Sequence, residues 1–259
     1  MIIWPSCLPQ YLNMDSYGEA AGDMQLRSGM DAGPDKVRRR FTAAVRPLQG
    51  EIIVTQEQFA FFKTWYNDTL LGGTLRFGWI EPWSDTIPTN LLSNPGFESN
   101  TASWSESGIG GTFAVVDDGM FGNCLEMNQN TTVSYVTAEQ LGISITIGNT
   151  YSLSGYTKLG TKTTDTPRIG LDNGGWLTSD DSTTALDDWA FIDCDYLATV
   201  STVNCFLQSA TLEEGTLLFD EIALVDISNI TEMRFKEPPT YSAAGGAYIK
   251  ISMSLEILP

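Results

Sequence analysis

The end of the chain decides the fold class: it reads Ala247-Tyr248-Ile249-Lys250-Ile251-Ser252-Met253-Ser254-Leu255-Glu256-Ile257-Leu258. Apolar residues at positions 249, 251, 253, 255 and 257 alternate with a mostly polar set on the other face. Because successive side chains of a β-strand point to opposite faces, this alternation predicts a long strand that is buried on one face. A half-buried strand must pair with other strands, so we expect a sheet to which earlier segments contribute.

The first part of the chain contains segments that could pair with this final strand. Residues 36–45 and 51–54 have the composition of strands, and Pro47 and Gly50 predict a turn between them. Residues 74–79 predict a further strand. The three segments and the final strand are therefore expected to belong to one small β domain.

One helix is predicted, over about residues 55–71. Thr55 is a suitable N-cap with Gln58 at the capping-box position, and Phe59, Phe62 and Tyr66 follow at helical spacing. Gly72 and Gly73 are expected to end it. An aromatic face of this kind predicts packing against the sheet.

The middle of the chain has a different composition. After a loop over residues 82–89, Ser, Thr, Gly, Asn and Asp dominate, and short alternating runs predict seven strands without a helix. Strands of this length and spacing are typical of a sandwich or jelly roll. The predicted strands are residues 112–116, 132–136, 144–147, 151–156, 189–194, 203–207 and 217–225.

After residue 228 the composition of the first part returns. Residues 231–235 predict a strand, whereas Pro238-Pro239 and Gly245-Gly246 predict breaks before the final strand. We therefore expect an all-β protein in which residues 1–89 and 229–259 form one discontinuous β-barrel or sandwich with a single packing helix. Residues 90–228 form a β-sandwich inserted into it, at a place where chain ends often lie close together.

The net charge of −18 is concentrated in the inserted segment. Residues 90–228 contain three Lys and Arg against 19 Asp and Glu, a net charge of −16, and the flanks account for the remaining −2. Binding to nucleic acid needs Lys and Arg to neutralise phosphates, so no specific nucleic-acid partner is expected. No apolar stretch reaches the length of a membrane span, and residues 1–5 show no signal-peptide pattern.

The residue types present argue against catalysis. The chain has no histidine, which excludes Ser-His-Asp and Cys-His mechanisms and histidine metal sites. Acid pairs at Asp180-Asp181, Asp187-Asp188 and Glu213-Glu214 could nominally serve a glycosidase, but adjacent residues on one strand point apart. We expect no enzyme activity. The four cysteines match no metal spacing and are expected to be free thiols.

The inserted segment resembles the jelly-roll carbohydrate-binding modules of glycoside hydrolases. The resemblance rests on Asn90-Leu91-Leu92-Ser93-Asn94-Pro95-Gly96-Phe97-Glu98 with the following Trp104, on residues 117–125, and on Leu218-Phe219-Asp220-Glu221-Ile222-Ala223-Leu224. In such modules the first and last strands often share a structural Ca²⁺. The resemblance implies that Glu98, Asp220, Gly96 and Asp118 hold this ion; the alternative is that the carboxylates are solvated or bonded to backbone amides.

The same resemblance implies sugar binding by aromatic faces flanked by polar groups. The aromatic candidates are Trp176, Tyr156 and Tyr135, with Asp172 and Asn173 as polar neighbours. Trp176 follows two glycines in a polar segment, where a large apolar side chain has no obvious core to join. This pattern is compatible with two roles for the Trp176 side chain, contact with a ligand and packing within the protein.

The divided domain resembles the minor tail and distal-tail proteins of long-tailed, lambda-like bacteriophages. The resemblance covers an N-terminal arm beginning Trp4-Pro5, residues 30–44, the helix and the closing residues 234–259. It implies a homo-oligomeric ring, commonly a hexamer, that contacts the tail tube and hub in the virion. On this view the sandwich points outward and contacts host surface polysaccharide, and the run Arg38-Arg39-Arg40 forms salt bridges with a neighbouring subunit. The alternative is a secreted or cell-surface carbohydrate-binding protein.

Overall fold

The computed structural model describes residues 1–81, 89–108, 110–130, 132, 134–181 and 188–259, and the protein is nearly all-β. Its strands are β1 (Gly18–Glu19), β2 (Gln25–Ser28), β3 (Lys36–Arg39), β4 (Arg46–Val54), β5 (Phe77–Trp79), β6 (Ser105–Ser107), β7 (Gly111–Val116), β8 (Cys124–Gln129), β9 (Thr137–Ser144), β10 (Thr150–Leu159), β11 (Pro167–Asp172), β12 (Trp176–Asp181), β13 (Ala190–Leu197), β14 (Thr202–Ser209), β15 (Gly215–Asp226), β16 (Thr231–Gly245) and β17 (Tyr248–Ile257). Helix α1 spans Gln56–Thr64, a π-helical turn Trp65–Thr69 extends it, and a 3₁₀ turn covers Met14–Ser16. None of the helices in these ranges is long and apolar enough to cross a membrane.

The first sheet has the order β1-β4-β17-β16-β5, and its strands pair antiparallel. The alternation of the final strand is confirmed, because Ile251, Met253, Leu255 and Ile257 are buried while their neighbours are not. Within the described residues the sheet is open, with β1 and β5 at its edges. Among these residues it forms a single layer that is covered by the helix and does not close into a barrel.

The predicted turn at Pro47 and Gly50 is wrong, because β4 runs straight through both residues. Pro47 lies opposite Glu256 and Gly50 opposite Met253 in the pairing with β17. A Cβ at Gly50 would come 2.6 Å from Leu12, so this glycine admits the Leu12 side chain. Residues 36–45 were expected to pair within the same sheet, and this is also wrong. β3, which lies in this segment, pairs with β2 in a separate two-stranded hairpin.

The predicted break at Pro238-Pro239 is also wrong in part. β16 continues through the two prolines, and its register against β17 shifts between Phe235 and Glu237 and between Glu237 and Thr240. A proline lacks the N–H that a ladder needs, and a bulge is where a strand tolerates this loss. Gly245 and Gly246 do end the strand, with φ angles of 97° and 60° that residues other than glycine rarely adopt.

The helix agrees with the sequence prediction. Thr55 accepts a hydrogen bond from the Gln58 amide and Gln58 Oε1 accepts one from the Thr55 amide, which completes the capping box. Phe61 and Phe62 of α1 and Trp65 and Tyr66 of the π-helical turn are buried against the first sheet. These aromatic side chains fix the helix across the face of the sheet, beside the N-terminal arm.

The middle of the chain forms a β-sandwich of two antiparallel five-stranded sheets. Their orders are β13-β10-β15-β8-β7 and β12-β11-β14-β9-β6, and they enclose one apolar core. Five of the seven predicted strands are present, and β6, β8, β11 and β12 were not predicted. The predicted strands at 132–136 and 144–147 are replaced by β9, and Val133 lies outside the described residues. The side chain of Gln140 in β9 is satisfied by both backbone groups of Ser93, which allows a polar residue there.

A second apolar cluster joins the first sheet to the sandwich. It contains the aromatic residues of the helix, the N-terminal arm and the first sheet, and it includes Tyr156 of β10. Phe61 and Phe121 meet across this boundary with ring centroids 6.0 Å apart. Between the two parts lies a cavity of about 240 Å³, walled by aromatic residues on one side and by the outer face of β10 and β15 on the other. Of the predicted loop over residues 82–89, residues 82–88 lie outside the described residues.

Candidate functional site: an aromatic platform and a carboxylate cluster

Trp176 lies on the outer face of the β12-β11-β14-β9-β6 sheet. Cys205 and Leu207 of β14 point into the core, so Phe206 and Gln208 between them face outward. We call this outward surface the platform; its residues line a cavity of about 190 Å³ and are Thr137, Glu139, Asp172, Gly174, Gly175, Trp176, Phe206 and Gln208. It combines aromatic surface with carboxylate and amide groups in one open depression.

The Trp176 side chain is exposed but held in place. It is 56% exposed, and its ring meets the Phe206 ring edge-on with centroids 4.9 Å apart. The Arg168 guanidinium lies 4.9 Å from the Trp176 ring centroid and is paired with Asp181. A Cβ at Gly170 would come 2.3 Å from the Phe206 ring, so a glycine is needed beneath that ring. A fixed, exposed aromatic face can stack on a flat ligand without losing side-chain freedom.

The polar groups beside Trp176 are also fixed. Asp172 lies opposite Trp176 in the pairing of β11 with β12, and its Oδ1 accepts hydrogen bonds from Asn204 Nδ2 and from the Gly174 amide. Asn173 is exposed in the tight turn between the two strands, where its amide donates to the Gly175 carbonyl. Both residues singled out from the sequence therefore lie next to Trp176.

The two tyrosine predictions have different outcomes. Tyr135 is 42% exposed and lies just before β9, close enough to Arg168 to help raise the pKa of that guanidinium, although the hydrogen bond to Asp181 is the larger cause. Tyr156 is 5% exposed, lies on the other sheet, and packs between Phe61 and Phe191 with its hydroxyl on Thr69. Its ring is covered, so its assignment to a sugar-binding surface is wrong.

A cluster of carboxylates lies at the other side of the sandwich, where its first and last segments meet. A Cβ placed on Gly96 would be 2.9 Å from Glu221 Oε1, 3.8 Å from Glu98 Oε1 and 3.9 Å from Asp220 Oδ1. The carboxylate cluster of Glu98, Asp220 and Glu221 therefore surrounds one point beside the Gly96 backbone. None of the three forms an ion pair with a base in the described ranges.

Glu221 was missed by the sequence analysis because consecutive strand residues normally point apart. The register of β10 against β15 shifts between Ser154 and Tyr156, and Glu221 lies in this bulge with a φ of 49°. A bulge re-aims side chains, and here it brings two consecutive carboxylates to the same side. Phe97, next to Gly96, has a φ of 53°. Backbone strain of this kind costs energy and concentrates at functional sites.

Burial and mutual repulsion change the protonation of the cluster. Burial, with the nearby charge of Glu221, raises the pKa of Asp220 to about 8. Burial, with the nearby charge of Glu98, raises the pKa of Glu221 to about 7. Asp220 nevertheless accepts hydrogen bonds from the amides of Phe121 and Glu221. A bound cation would relieve the repulsion that these values reflect.

The cluster offers the hard oxygen donors that Ca²⁺ prefers. In the described part of the chain no three Cys, Asp or Glu side chains are arranged to hold a metal by themselves. A cation would therefore need backbone carbonyls and water as further ligands. Asp118 does not join the cluster as predicted, because its carboxylate binds Lys158 Nζ at 2.9 Å. Glu98, Asp220 and Gly96 do come together, and Glu221 is the additional member.

Two members of the acid pairs considered for catalysis are engaged elsewhere. Asp181 pairs with Arg168, and the Glu213 carboxylate accepts hydrogen bonds from Thr163 and Thr164, which lower its pKa to about 2. A carboxyl that remains ionised in this way is a poor proton donor. Asp187 lies outside the described residues.

No protein family and no curated protein matches this sequence. Solved structures give similarities over about half of the chain. The enzymatically active domain of tailspike protein 4 of bacteriophage CBA120 aligns with a TM-score of 0.43 and 16% identity over 52% of this chain, and the alignment spans only 21% of that protein. The carbohydrate-binding module TmCBM61, solved with β-1,4-galactotriose, has a TM-score of 0.43, 16% identity, and coverage of 53% and 99%. The CBM22-1 xylan-binding domain of Paenibacillus barcinonensis Xyn10C has a TM-score of 0.42, 18% identity, and coverage of 56% and 99%.

Proposed function

We propose that the sandwich binds a polysaccharide on the platform. The observation that carries this proposal is the exposed Trp176 face, held against Phe206 and Arg168 and flanked by Asp172. A sugar ring presents apolar C–H groups on one face and hydroxyls at its rim. The indole face of Trp176 can stack on the C–H groups. The carboxylates of Asp172 and Glu139 and the amide of Gln208 can form hydrogen bonds with the hydroxyls. Open depressions of this kind admit a chain that continues past both ends of the site.

Replacing Trp176 by alanine should weaken binding to any glycan found on an array by at least about tenfold, roughly 1.4 kcal/mol. The exposed indole contributes little to the core, so the variant should fold. Tyr248→Ala is a matched control, because Tyr248 is 54% exposed but lies on the first sheet. Isothermal titration of the full chain with the array hit measures both. Equal binding by wild type and Trp176→Ala, or no glycan on the array, would reject the platform as the sugar site.

We also propose that the carboxylate cluster holds a structural Ca²⁺. The supporting observations are three carboxylates around Gly96 that form no ion pair with a described base, and the strained backbone of Phe97 and Glu221. A cation there would join the first segment of the sandwich to its last strand. The ion would supply positive charge to a buried negative site, while Glu98, Asp220 and Glu221 would provide carboxylate oxygens.

For the whole chain we propose a structural role as a ring subunit of a bacteriophage tail tip, assembled in the virion with the tail tube and hub. The supporting observation is the divided domain itself, which has an N-terminal arm, a protruding hairpin, one helix and a long final strand around the inserted sandwich. A hexamer would present six platforms, and six weak sites on one ring gain affinity by avidity. The competing candidate is a secreted or cell-surface carbohydrate-binding protein.

The two candidates differ in oligomeric state. We expect the purified full chain to form a closed ring of six copies, as the tail proteins that the divided domain resembles commonly do. Mass photometry across a concentration series, followed by electron microscopy of the largest species, measures this. A monomer at every concentration would contradict the tail-tip proposal and leave the sugar proposal standing.

A further inference from the structure

The hairpin of β2 and β3 belongs to a segment over residues 21–44 that stands apart from both apolar cores. We call this segment the arm; it is distinct from the N-terminal arm that begins at Trp4. Within the part of the chain that the structure describes, the strands of the arm pair only with each other, and every residue from 27 to 43 is exposed. Val37 is 52% exposed and Phe41 48%. A single two-stranded hairpin without a covered face is marginally stable in water. Apolar side chains and two open strand edges on such an element indicate a surface that a partner covers.

Most of the Lys and Arg residues that form no ion pair with a described carboxylate lie in the arm. Of the 14 Lys and Arg residues, seven form ion pairs with described carboxylates. Five of the other seven lie in the arm: Arg27, Lys36, Arg38, Arg39 and Arg40. Arg39 bonds to carbonyls of the arm, and Arg40 lies over the Phe41 ring. Arg27, Lys36 and Arg38 therefore present charge outward.

The sandwich carries the complementary charge. Its net charge is −16, and it exposes Glu106, Asp117 and Glu214, which form no ion pair with a described base. Opposite potentials guide association and fix its orientation. Among the described residues the arm forms no ion pair with the sandwich of its own copy. The acidic sandwich of another copy is therefore a surface that the charges of the arm can bind.

We propose that the arm of one copy docks on the acidic sandwich of a second copy. This inference rests on the proposed self-assembly and names the surfaces that meet in it. The two surfaces differ, so the contact is heterologous, and repetition of such a contact closes a ring or grows a filament. Docking covers Val37 and Phe41, pairs Lys36 and Arg38 with carboxylates, and supplies the second layer that the isolated hairpin lacks.

The test compares two double variants with the same change of charge. Lys36→Glu/Arg38→Glu alters the arm, and Lys63→Glu/Lys236→Glu alters the two exposed lysines outside it that form no ion pair with a described carboxylate. We expect the wild type and the control to assemble at about 50 mM NaCl and to dissociate at about 500 mM, since salt screens exposed charges. The arm variant should remain monomeric in both, with an unchanged melting temperature. Sedimentation velocity measures the assembly.

A second measurement identifies the surfaces. Carbodiimide joins lysine amines to carboxylates in direct contact, and a mixture of isotopically light and heavy protein distinguishes links between copies. We expect links from Lys36 of one copy to residues 90–228 of another. Assembly by the arm variant, or links that avoid the sandwich, would overturn the docking proposal while self-assembly stands. A wild type that stays monomeric would overturn both, and glycan binding by Trp176 would be unaffected.

Discussion

Replacing Lys162 by methionine should lower the free energy of unfolding of the sandwich by about 3–5 kcal/mol, because it leaves a buried carboxylate without its cation. Lys162 is fully buried, and its Nζ lies 2.6 Å from Asp165 Oδ2 and 2.6 Å from Ser209 Oγ. Asp165 Oδ1 is held by the amides of Thr166, Ala210 and Thr211. The carboxylate is thus fixed among buried groups and cannot turn to water when the ammonium is removed.

The matched control is Lys158→Met, which makes the same substitution in a pair near the surface. The Lys158 side chain is 16% exposed and binds Asp118, whose side chain is 55% exposed. Because this carboxylate can be solvated when the ammonium is removed, we expect a loss of about 1 kcal/mol. Urea denaturation followed by tryptophan fluorescence measures the loss, and hydrogen exchange in residues 202–209 assigns it to the sandwich. Equal losses for the two variants would show that Lys162 is not a buried ion-pair partner in solution.

Local patterns predicted much of this fold, and tertiary contacts explain most of what they missed. The final strand and the capped helix follow from periodicity and capping, which neighbouring residues determine. Gly50 was read as a turn residue, but its lack of a side chain serves a contact with Leu12. No local pattern distinguishes those two uses of glycine. β3 was likewise placed in the main sheet, because composition does not reveal which strands pair.

The candidate site residues show the same difference between local patterns and tertiary contacts. Trp176 was identified because a large aromatic in a polar segment has no evident core, and the structure leaves it exposed next to Asp172 and Asn173. Tyr156 is also aromatic, but it packs against the helix of the divided domain. This contact joins segments that are far apart in sequence. Glu221 was overlooked because its orientation depends on a bulge, which strand alternation alone does not predict.

Calcium should raise the stability of the protein at pH 8 and have much less effect at pH 5.5. The pKa values of Asp220 and Glu221, about 8 and about 7, lie above those of exposed carboxyls. Between about pH 4 and pH 8 the folded protein then holds more protons than the unfolded chain, so without metal its stability falls as the pH rises through this range. Ca²⁺ binds the ionised carboxylates and offsets that loss; free Ca²⁺ at about 1,000 times its Kd adds about 4 kcal/mol.

Melting temperatures in EDTA and in excess Ca²⁺ at the two pH values measure this effect, and one substitution should nearly abolish it. Glu221→Gln removes a charge that repels Asp220 and Glu98, while its amide can still bond to Ser6 Oγ. The variant should be more stable than wild type in EDTA at pH 8 and should respond weakly to Ca²⁺. Asp118→Asn, which alters the carboxylate bound to Lys158, should keep the wild-type response. If Ca²⁺ stabilises Glu221→Gln as much as wild type, the ion binds elsewhere; if EDTA changes nothing at pH 8, the cluster holds no metal.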